Sequence, residues 1–207
     1  MPGKSELDEI RRVLVDQHGC HAIILYGSRA HGTVQKGSDW DVLGIRAEGE
    51  SMREARPFQD GWLDAFVYSE KHFDTLDEGS LRFGSGKVLV DQHGFAAKLL
   101  ARIEALEKHG PPPLPLGEES VLRAWFPKML DRINRGDVEA KYRRAWLLVD
   151  ALEGWFRLRG KWYRGPKESL AWLEVHDPAA HATFARALEP TANYEDLASL
   201  VSCVLGD

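Results

Sequence analysis

The sequence contains Leu25-Tyr26-Gly27-Ser28 and, after a gap of ten residues, Asp39-Trp40-Asp41-Val42-Leu43, and the fold prediction starts from these two segments. The apolar run Ala22–Tyr26 predicts a short buried strand, and Gly27-Ser28 predicts that a short helix begins directly after it. Glycine lets the backbone approach a ligand closely, and helix N-terminal amides beside a hydroxyl suit an anionic phosphate. The alternative is a plain turn with a helix cap.

Two acidic residues follow, on either side of Trp40, in a predicted strand that continues to Arg46. Because side chains alternate along a strand, Asp39 and Asp41 are expected on one face and Trp40 on the other. Two neighbouring carboxylates repel unless one takes a proton or a cation lies between them. Mg²⁺ favours one or two carboxylates together with substrate phosphates. A solvated strand end is the alternative.

A third carboxylate, Asp64, lies in the otherwise apolar strand predicted for Trp62–Tyr68. An unpaired charge in such a strand is costly, so it needs compensation. A metal ion shared with Asp39 and Asp41 on a neighbouring strand would supply it, and an ion pair with an arginine is the alternative.

This arrangement resembles the polymerase-β-like nucleotidyltransferase superfamily. The family's motif, an apolar residue, Gly-Ser, a gap of about ten, Asp-x-Asp and a later acid, is matched by Gly27, Ser28, Asp39, Asp41 and Asp64. The resemblance implies that Gly27 and Ser28 hold the outer phosphates of ATP or another nucleoside triphosphate. It also implies that the three acids bind two Mg²⁺ ions, while a hydroxyl attacks the α-phosphate and pyrophosphate leaves.

A break in composition lies at residues 108–117, where four prolines and two glycines occur within ten residues. Such a stretch cannot continue a helix and is typical of an extended linker. The sequence therefore predicts an α+β catalytic domain over residues 1–109, with a nucleotidyltransferase-type mixed sheet and flanking helices. A linker over 110–117 and an all-α helical bundle over 118–207 follow.

This layout is similar to that of kanamycin- and other antibiotic-modifying nucleotidyltransferases, which implies a small-molecule hydroxyl acceptor, aminoglycoside-like in those enzymes. In some of them a carboxylate of the helical domain is the general base. Glu139 and Glu153 share the mixed-charge face of the helix predicted for 137–159 and are candidates. The alternative is that the charged residues of that face form solvated i,i+4 ion pairs. Asp64 is an equal candidate for the general base.

The same long helix carries a stripe of apolar residues at 3/4 spacing, which predicts its buried face. The members of this stripe are Val138, Tyr142, Ala145, Val149, Leu152 and Phe156.

Basic residues near the nucleotide motif and in the helical domain are further candidates for phosphate contacts. Arg29 follows Gly27-Ser28 and either reaches a phosphate or is a surface arginine. Residues 155–167 hold five basic residues and four aromatic ones with no acid, which suits a stacked base and a triphosphate, or else a helix end beside a core. Within this run, Lys167 resembles a second-domain lysine that contacts nucleotide phosphates in related enzymes.

Composition narrows the function classes. The 207 residues carry 27 Lys plus Arg against 32 Asp plus Glu, a net charge of −5, which argues against a dedicated nucleic-acid binder. Two cysteines are too few for a disulfide scaffold or a four-thiolate zinc site. No signal peptide or membrane-spanning stretch is evident, so we expect a cytoplasmic protein without a membrane partner, as monomer or dimer.

Two other functions stay open at this stage. The chain could modify a protein side chain, as an AMPylating enzyme or a nucleotidyltransferase of toxin–antitoxin type, or it could be an inactive nucleotide-binding module. The presence of all three acids argues against the inactive module.

One heptapeptide, Val-Leu-Val-Asp-Gln-His-Gly, occurs twice, at Val13–Gly19 and Val88–Gly94. The first copy ends a predicted amphipathic helix, whereas the second follows Gly84-Ser85-Gly86 and is predicted as a strand that runs into a turn. Because the flanking residues differ, we interpret the repeat as coincidence rather than a duplication.

Overall fold

Five strands form one mixed sheet in the computed structural model, which describes residues 4–206. In chain order the strands are β1 (Ala22–Tyr26), β2 (Trp40–Arg46), β3 (Met52–Phe58), β4 (Gly61–Ser69) and β5 (Lys87–Asp91). Their order across the sheet is β3-β4-β2-β1-β5. Strands β2 and β4 run parallel, and the other neighbouring pairs run antiparallel.

Within the described residues, three helices lie in the same half of the chain as the sheet, and five more form most of the second half. In the first half they are α1 (Lys4–Asp16), α2 (Gly27–His31) and α3 (Phe95–His109), with two 3-10 helices, Glu70–Phe73 and Glu78–Phe83. The second half contains α4 (Leu116–Ile133), α5 (Val138–Leu158), α6 (Gly165–His176), α7 (Pro178–Leu188) and α8 (Tyr194–Leu205). The predicted α+β class, a mixed sheet with flanking helices followed by an all-α region, is confirmed.

The chain divides between His109 and Gly110 into two compact units, here called the sheet unit and the helical unit. Each has a hydrophobic core of its own. Among residues 4–206, no helix has the length and apolar character needed to cross a membrane.

The core of the sheet unit packs one face of the sheet against α1. Leu14 of α1 is fully buried in the same cluster as Trp40 of β2 and Leu63 of β4. Since side chains alternate along each strand, Asp41 and Asp64 project from the opposite face. The apolar alternation thus assigns the two acids to one surface of the sheet.

The strands predicted for residues 22–26 and 40–46 have the observed bounds, whereas β3 is absent from the sequence prediction. Its residues, Met-Arg-Glu-Ala-Arg-Pro-Phe, carry three charges and a proline, and it lies at the edge of the sheet. Edge strands tolerate both features because one side of their backbone needs no partner. A charged strand of this kind lacks the apolar run used to recognise the others.

The repeated heptapeptide adopts two different structures. Its first copy spans the end of α1, which finishes at Asp16, and its second copy forms most of β5. Both copies end on a glycine with positive φ, +66° at Gly19 and +71° at Gly94. The prediction of one helical and one extended copy is confirmed, so tertiary context rather than local sequence decides the structure of these residues.

The apolar stripe predicted for α5 is wrong for its first four members, all of which are exposed, Ala145 among them. Val138, Tyr142 and Val149 are exposed, whereas Leu147 and Trp155 are buried in the core. The buried face is rotated because α5 packs against α4 and α8 through small as well as large residues. The core side of the helix is formed by Ala140, Leu147, Ala151, Leu152, Gly154, Trp155 and Phe156.

Candidate functional site

Three residues lie side by side across the sheet where β1 ends. In the strand register Tyr26 of β1 faces Asp41 of β2, and Asp41 faces Asp64 of β4. Burial raises the pKa of the Tyr26 hydroxyl above its ordinary value; Arg82 lowers it, and the Asp41 and Asp64 carboxylates raise it. Two of the three acids predicted to share a site, Asp41 and Asp64, are therefore neighbours on one face.

Gly27 lies directly against Asp41. Its φ is +68°, a left-handed conformation that glycine adopts without strain, and a Cβ atom at this position would overlap Asp41 Oδ2. The residue that follows β1 must therefore be glycine for the Asp41 carboxylate to lie where it does. This contact joins the Gly27-Ser28 turn to the acids, as the spacing of the motif requires.

Asp64 is held by an arginine that the sequence prediction did not single out. Arg53 of β3 donates from Nε to Asp64 Oδ1 at 2.6 Å and from Nη2 to Oδ2 at 2.7 Å. The Arg53 side chain is 58% exposed and that of Asp64 20% exposed, so solvent screens this pair in part. The ion pair considered above as the alternative for Asp64 is the one observed.

The donor set suits a divalent cation only in part. Carboxylate oxygens are the ligands that Mg²⁺ prefers, and the missing side chain of Gly27 lets the Asp41 carboxylate lie against the backbone there. In the part of the chain that the structure describes, however, no three His, Cys, Asp or Glu side chains form a group able to hold a metal ion. The structure brings Asp41 and Asp64 together and does not gather the three predicted acids around one position.

Asp39 precedes β2 rather than lying within it, and its side chain is exposed. Its backbone is held by Arg29, whose Nε donates to the Asp39 and Ser38 carbonyl oxygens at 3.2 and 3.1 Å. Arg29 Nη2 also bonds the Ser38 carbonyl and Asp60, and the guanidinium stacks 4.0 Å over the Trp40 ring.

Arg29 is therefore not a surface arginine, since only 7% of it is exposed. Its contacts give it a positioning role, because Nε and Nη2 both donate to oxygens of this chain; the phosphate contact stays a prediction. By holding the segment before β2, Arg29 fixes the direction from which Asp39 and Asp41 enter the sheet.

The remaining predicted residues fall in several places. Ser28 is half-buried in the first turn of α2. In the helical unit, Glu139 pairs with Arg143, and Glu153 lies 3.9 Å from Arg157, which matches the i,i+4 pairing considered for this face. Lys167 is exposed in the first turn of α6.

Two arginines on the Asp41 face were missed by the sequence analysis. Arg53 and Arg82 both stack on the Phe66 ring, at 4.9 and 4.4 Å, and Arg82 donates to the Tyr68 hydroxyl at 3.3 Å. Only the alternation of charged and apolar residues in 52–58 could have indicated Arg53, and nothing in the local sequence marks Arg82. Together they place two cations beside two carboxylates.

Comparisons with known proteins give little beyond this. No family model matches the chain, and no curated protein matches it. Among solved structures, the chain is similar to a nucleotidyltransferase-like protein from Exiguobacterium sibiricum, with 12% identity and a TM-score of 0.45, over 97% of this chain and 75% of that one. The match is too loose to support an activity, which rests on the residues of this chain.

Proposed function

We propose that this protein is a nucleotidyltransferase that moves a nucleoside monophosphate from a triphosphate, ATP in the first instance, to a hydroxyl of a small-molecule acceptor. The observation that carries the proposal is the contact of Gly27 with Asp41, together with the pairing of Asp41 and Asp64 in register. A glycine directly beside one carboxylate, with a second carboxylate next to it in register, is suited to phosphate chemistry.

The reaction forms one bond and breaks one. The acceptor oxygen bonds to the α-phosphorus while the bond from that phosphorus to the bridging oxygen breaks, and pyrophosphate leaves with the bond's electron pair. Asp41 and Asp64 would hold Mg²⁺, with Asp39 as the further ligand proposed from the motif; the ion supplies charge stabilisation to the phosphates when bound. Arg82, on the same face, is a cation available to the outer phosphates.

The proton of the acceptor hydroxyl needs a carboxylate to receive it. Glu139 and Glu153 each lie beside an arginine four residues on, which favours a solvated role for both. Asp64 lies next to Asp41, so we propose Asp64 as the base. Its ion pair with Arg53 must then open during the reaction.

The test is transfer of label from [α-³²P]ATP, with Mg²⁺, to a panel of hydroxyl-bearing small molecules, and release of pyrophosphate. Asp41→Asn is expected to lower the rate by about 10³-fold, since removing a charge-stabilising group costs several kcal/mol of barrier. Asp16→Asn, at an exposed position at the end of α1, is the matched control and should keep the wild-type rate.

Other outcomes would replace the proposal. Label on the protein itself, or on one partner protein, would move the acceptor to a protein side chain. If the wild type neither releases pyrophosphate with any acceptor nor binds ATP, a transferase is excluded, and binding without turnover would indicate an inactive nucleotide-binding module.

A further inference from the structure

The helical unit contains a cavity of about 470 Å³ lined by residues of α4 and α5. This volume falls within the range of about 300–1,000 Å³ that is typical of small-molecule sites. The α4 side is mostly apolar, with Leu122 and Trp125 beside one carboxylate, Glu118, whereas the α5 side carries Asp150, Glu153 and Arg157. An apolar wall opposite a few charged groups is the arrangement in which small ligands bind.

The charges of the cavity do not balance. Three carboxylates line it, and Arg157 is the one basic side chain in the lining. Arg157 Nη2 lies 2.9 Å from Glu118 Oε2, and its Nη1 lies 3.9 Å from Glu153 Oε1. No ion pair joins Asp150 to a basic side chain within residues 4–206. Its polar partner is the Trp146 indole, which donates a hydrogen bond.

The environment of Asp150 reflects this lack of positive charge. Burial raises the pKa of its carboxyl above the ordinary value, the Glu153 carboxylate raises it further, and the hydrogen bond from Trp146 lowers it. A positive charge in the cavity would oppose both of the raising effects. The site is thus electrostatically prepared for a cation and opposed to an anion.

The aromatic wall gives the cation a second contact. Trp125 is half-buried and is held edge-on by Phe126 and Trp146, with ring centroids 5.0 and 6.4 Å away. An indole face presented to a cavity attracts ammonium groups, which contributes about 0.5–2 kcal/mol. Its apolar surface also accepts a hydrocarbon body.

We propose that this cavity binds an organic cation with an apolar body, with the ammonium group beside Asp150 and the body against Trp125 and Leu122. The proposal uses no residue of the sheet unit and does not depend on nucleotidyl transfer. Failure of either proposal therefore leaves the other in place.

The test is calorimetric titration of the full chain with benzyltrimethylammonium, and with benzyl alcohol as the uncharged counterpart. The cation is expected to bind at least about tenfold more tightly than the alcohol, because only the cation offsets the cavity's negative charge. Asp150→Asn should weaken cation binding by about tenfold, and Trp125→Leu by about threefold or more. Glu174→Gln removes the same charge from an exposed position on α6 and should leave binding unchanged.

Three results would overturn the inference: no binding of the cation by the wild type, equal binding of alcohol and cation, or equal loss in Asp150→Asn and Glu174→Gln. Equal loss would mean that the cation responds to the net charge and not to the cavity. Thermal unfolding of each variant checks that it is folded. If Asp150→Asn does not fold, the proposal is tested by the affinity of Trp125→Leu for the two probes.

Discussion

The two units each present a carboxylate next to a site, and the two carboxylates are treated differently. In the sheet unit, Asp64 accepts hydrogen bonds from Nε and Nη2 of Arg53 on the adjoining strand. In the helical unit, Asp150 lines a cavity with a tryptophan as its hydrogen-bond donor. A cation must compete with Arg53 for Asp64, whereas at Asp150 it meets a carboxylate that has no ion-pair partner among the described residues.

The largest effect is expected where the sheet site depends on a missing side chain. Gly27→Ala introduces a Cβ that would overlap Asp41 Oδ2 at a residue with φ of +68°. The backbone penalty is about 1–2 kcal/mol, and displacement of the Asp41 carboxylate should lower nucleotidyl transfer by at least about 10²-fold. Urea unfolding and the pyrophosphate assay measure the two effects.

Gly32→Ala separates backbone strain from the contact. Gly32 has a φ of +76°, but no atom lies within 4 Å of the position that the alanine methyl group would take. The variant should therefore lose only the backbone part of the stability, about 1–2 kcal/mol, while keeping its activity. If both variants lose transfer equally, the contact of Gly27 with Asp41 is not what the sheet site requires.

Packing in the helical unit depends on how closely α4 and α5 approach each other. A Cβ at Gly154 would lie 2.5 Å from Phe126 Cζ, deep in the core. Overpacking costs about 1–3 kcal/mol, and so close a contact with a buried ring belongs to the upper part, about 2–3 kcal/mol, against about 1 kcal/mol gained by replacing a helical glycine. We therefore expect Gly154→Ala to lower the free energy of unfolding by about 1–2 kcal/mol.

Gly117→Ala is the matched variant on α4. Nothing lies within 4 Å of its Cβ position, so the helix should gain about 0.4–1 kcal/mol. Urea unfolding of both proteins gives the comparison. A neutral or stabilising Gly154→Ala would show that the two helices can separate without cost.

A smaller effect should follow from removing the competitor at Asp64. Arg53→Met keeps the length of the side chain but leaves the carboxylate without its ion pair, whose loss is worth up to about 1 kcal/mol in a solvent-screened position. Mn²⁺ affinity, measured by electron paramagnetic resonance, is expected to rise by about twofold to fivefold. Arg56→Met breaks an ion pair with Glu54 on the same strand and should leave the Mn²⁺ affinity unchanged. Unchanged affinity in Arg53→Met would mean that the ion pair does not oppose a cation.

What the sequence predicted follows from the physics of strands. The apolar runs at 22–26 and 40–46, and the alternation around Asp41, fix which side chains share a face, because a strand has a period of two. Register then adds Asp64 as a neighbour. The same reasoning misses Arg53, because which strand forms the edge is a tertiary property that no local pattern encodes.

The helical unit was predicted less well for a related reason. An all-α region and the long helix over 137–159 were predicted, but the face of α5 was wrong because Gly154 and Ala151 are part of the buried core beside the large residues. Small residues on a helix carry no apolar signal, although they decide how closely a neighbour packs. The cavity beside Asp150 depends on that packing, so it could not be predicted from spacing alone.

The smallest expected effect tests whether Asp150 lacks a cationic partner. Since its pKa is raised in the folded protein, the native state holds a proton that the unfolded chain, with a pKa of about 3.9, has already released. The contribution of Asp150 to stability should fall as the pH rises from about 4 through the raised pKa and stay level above it. Asp150→Asn removes this penalty, so its advantage over wild type should grow over the same range and stay below about 1 kcal/mol, because solvent reaches the half-buried carboxyl.

Urea unfolding between pH 4 and pH 7 measures this difference, with Glu174→Gln as the control that should show no such growth. Glu118, Glu153 and Arg157 face the same cavity and stay in place in both proteins, so their titration cancels to first order. If the advantage instead shrinks as the pH rises, the Asp150 carboxylate is stabilised by a positive charge. The contrast with Asp64 would then disappear, because both carboxylates would already have a cationic partner within the fold.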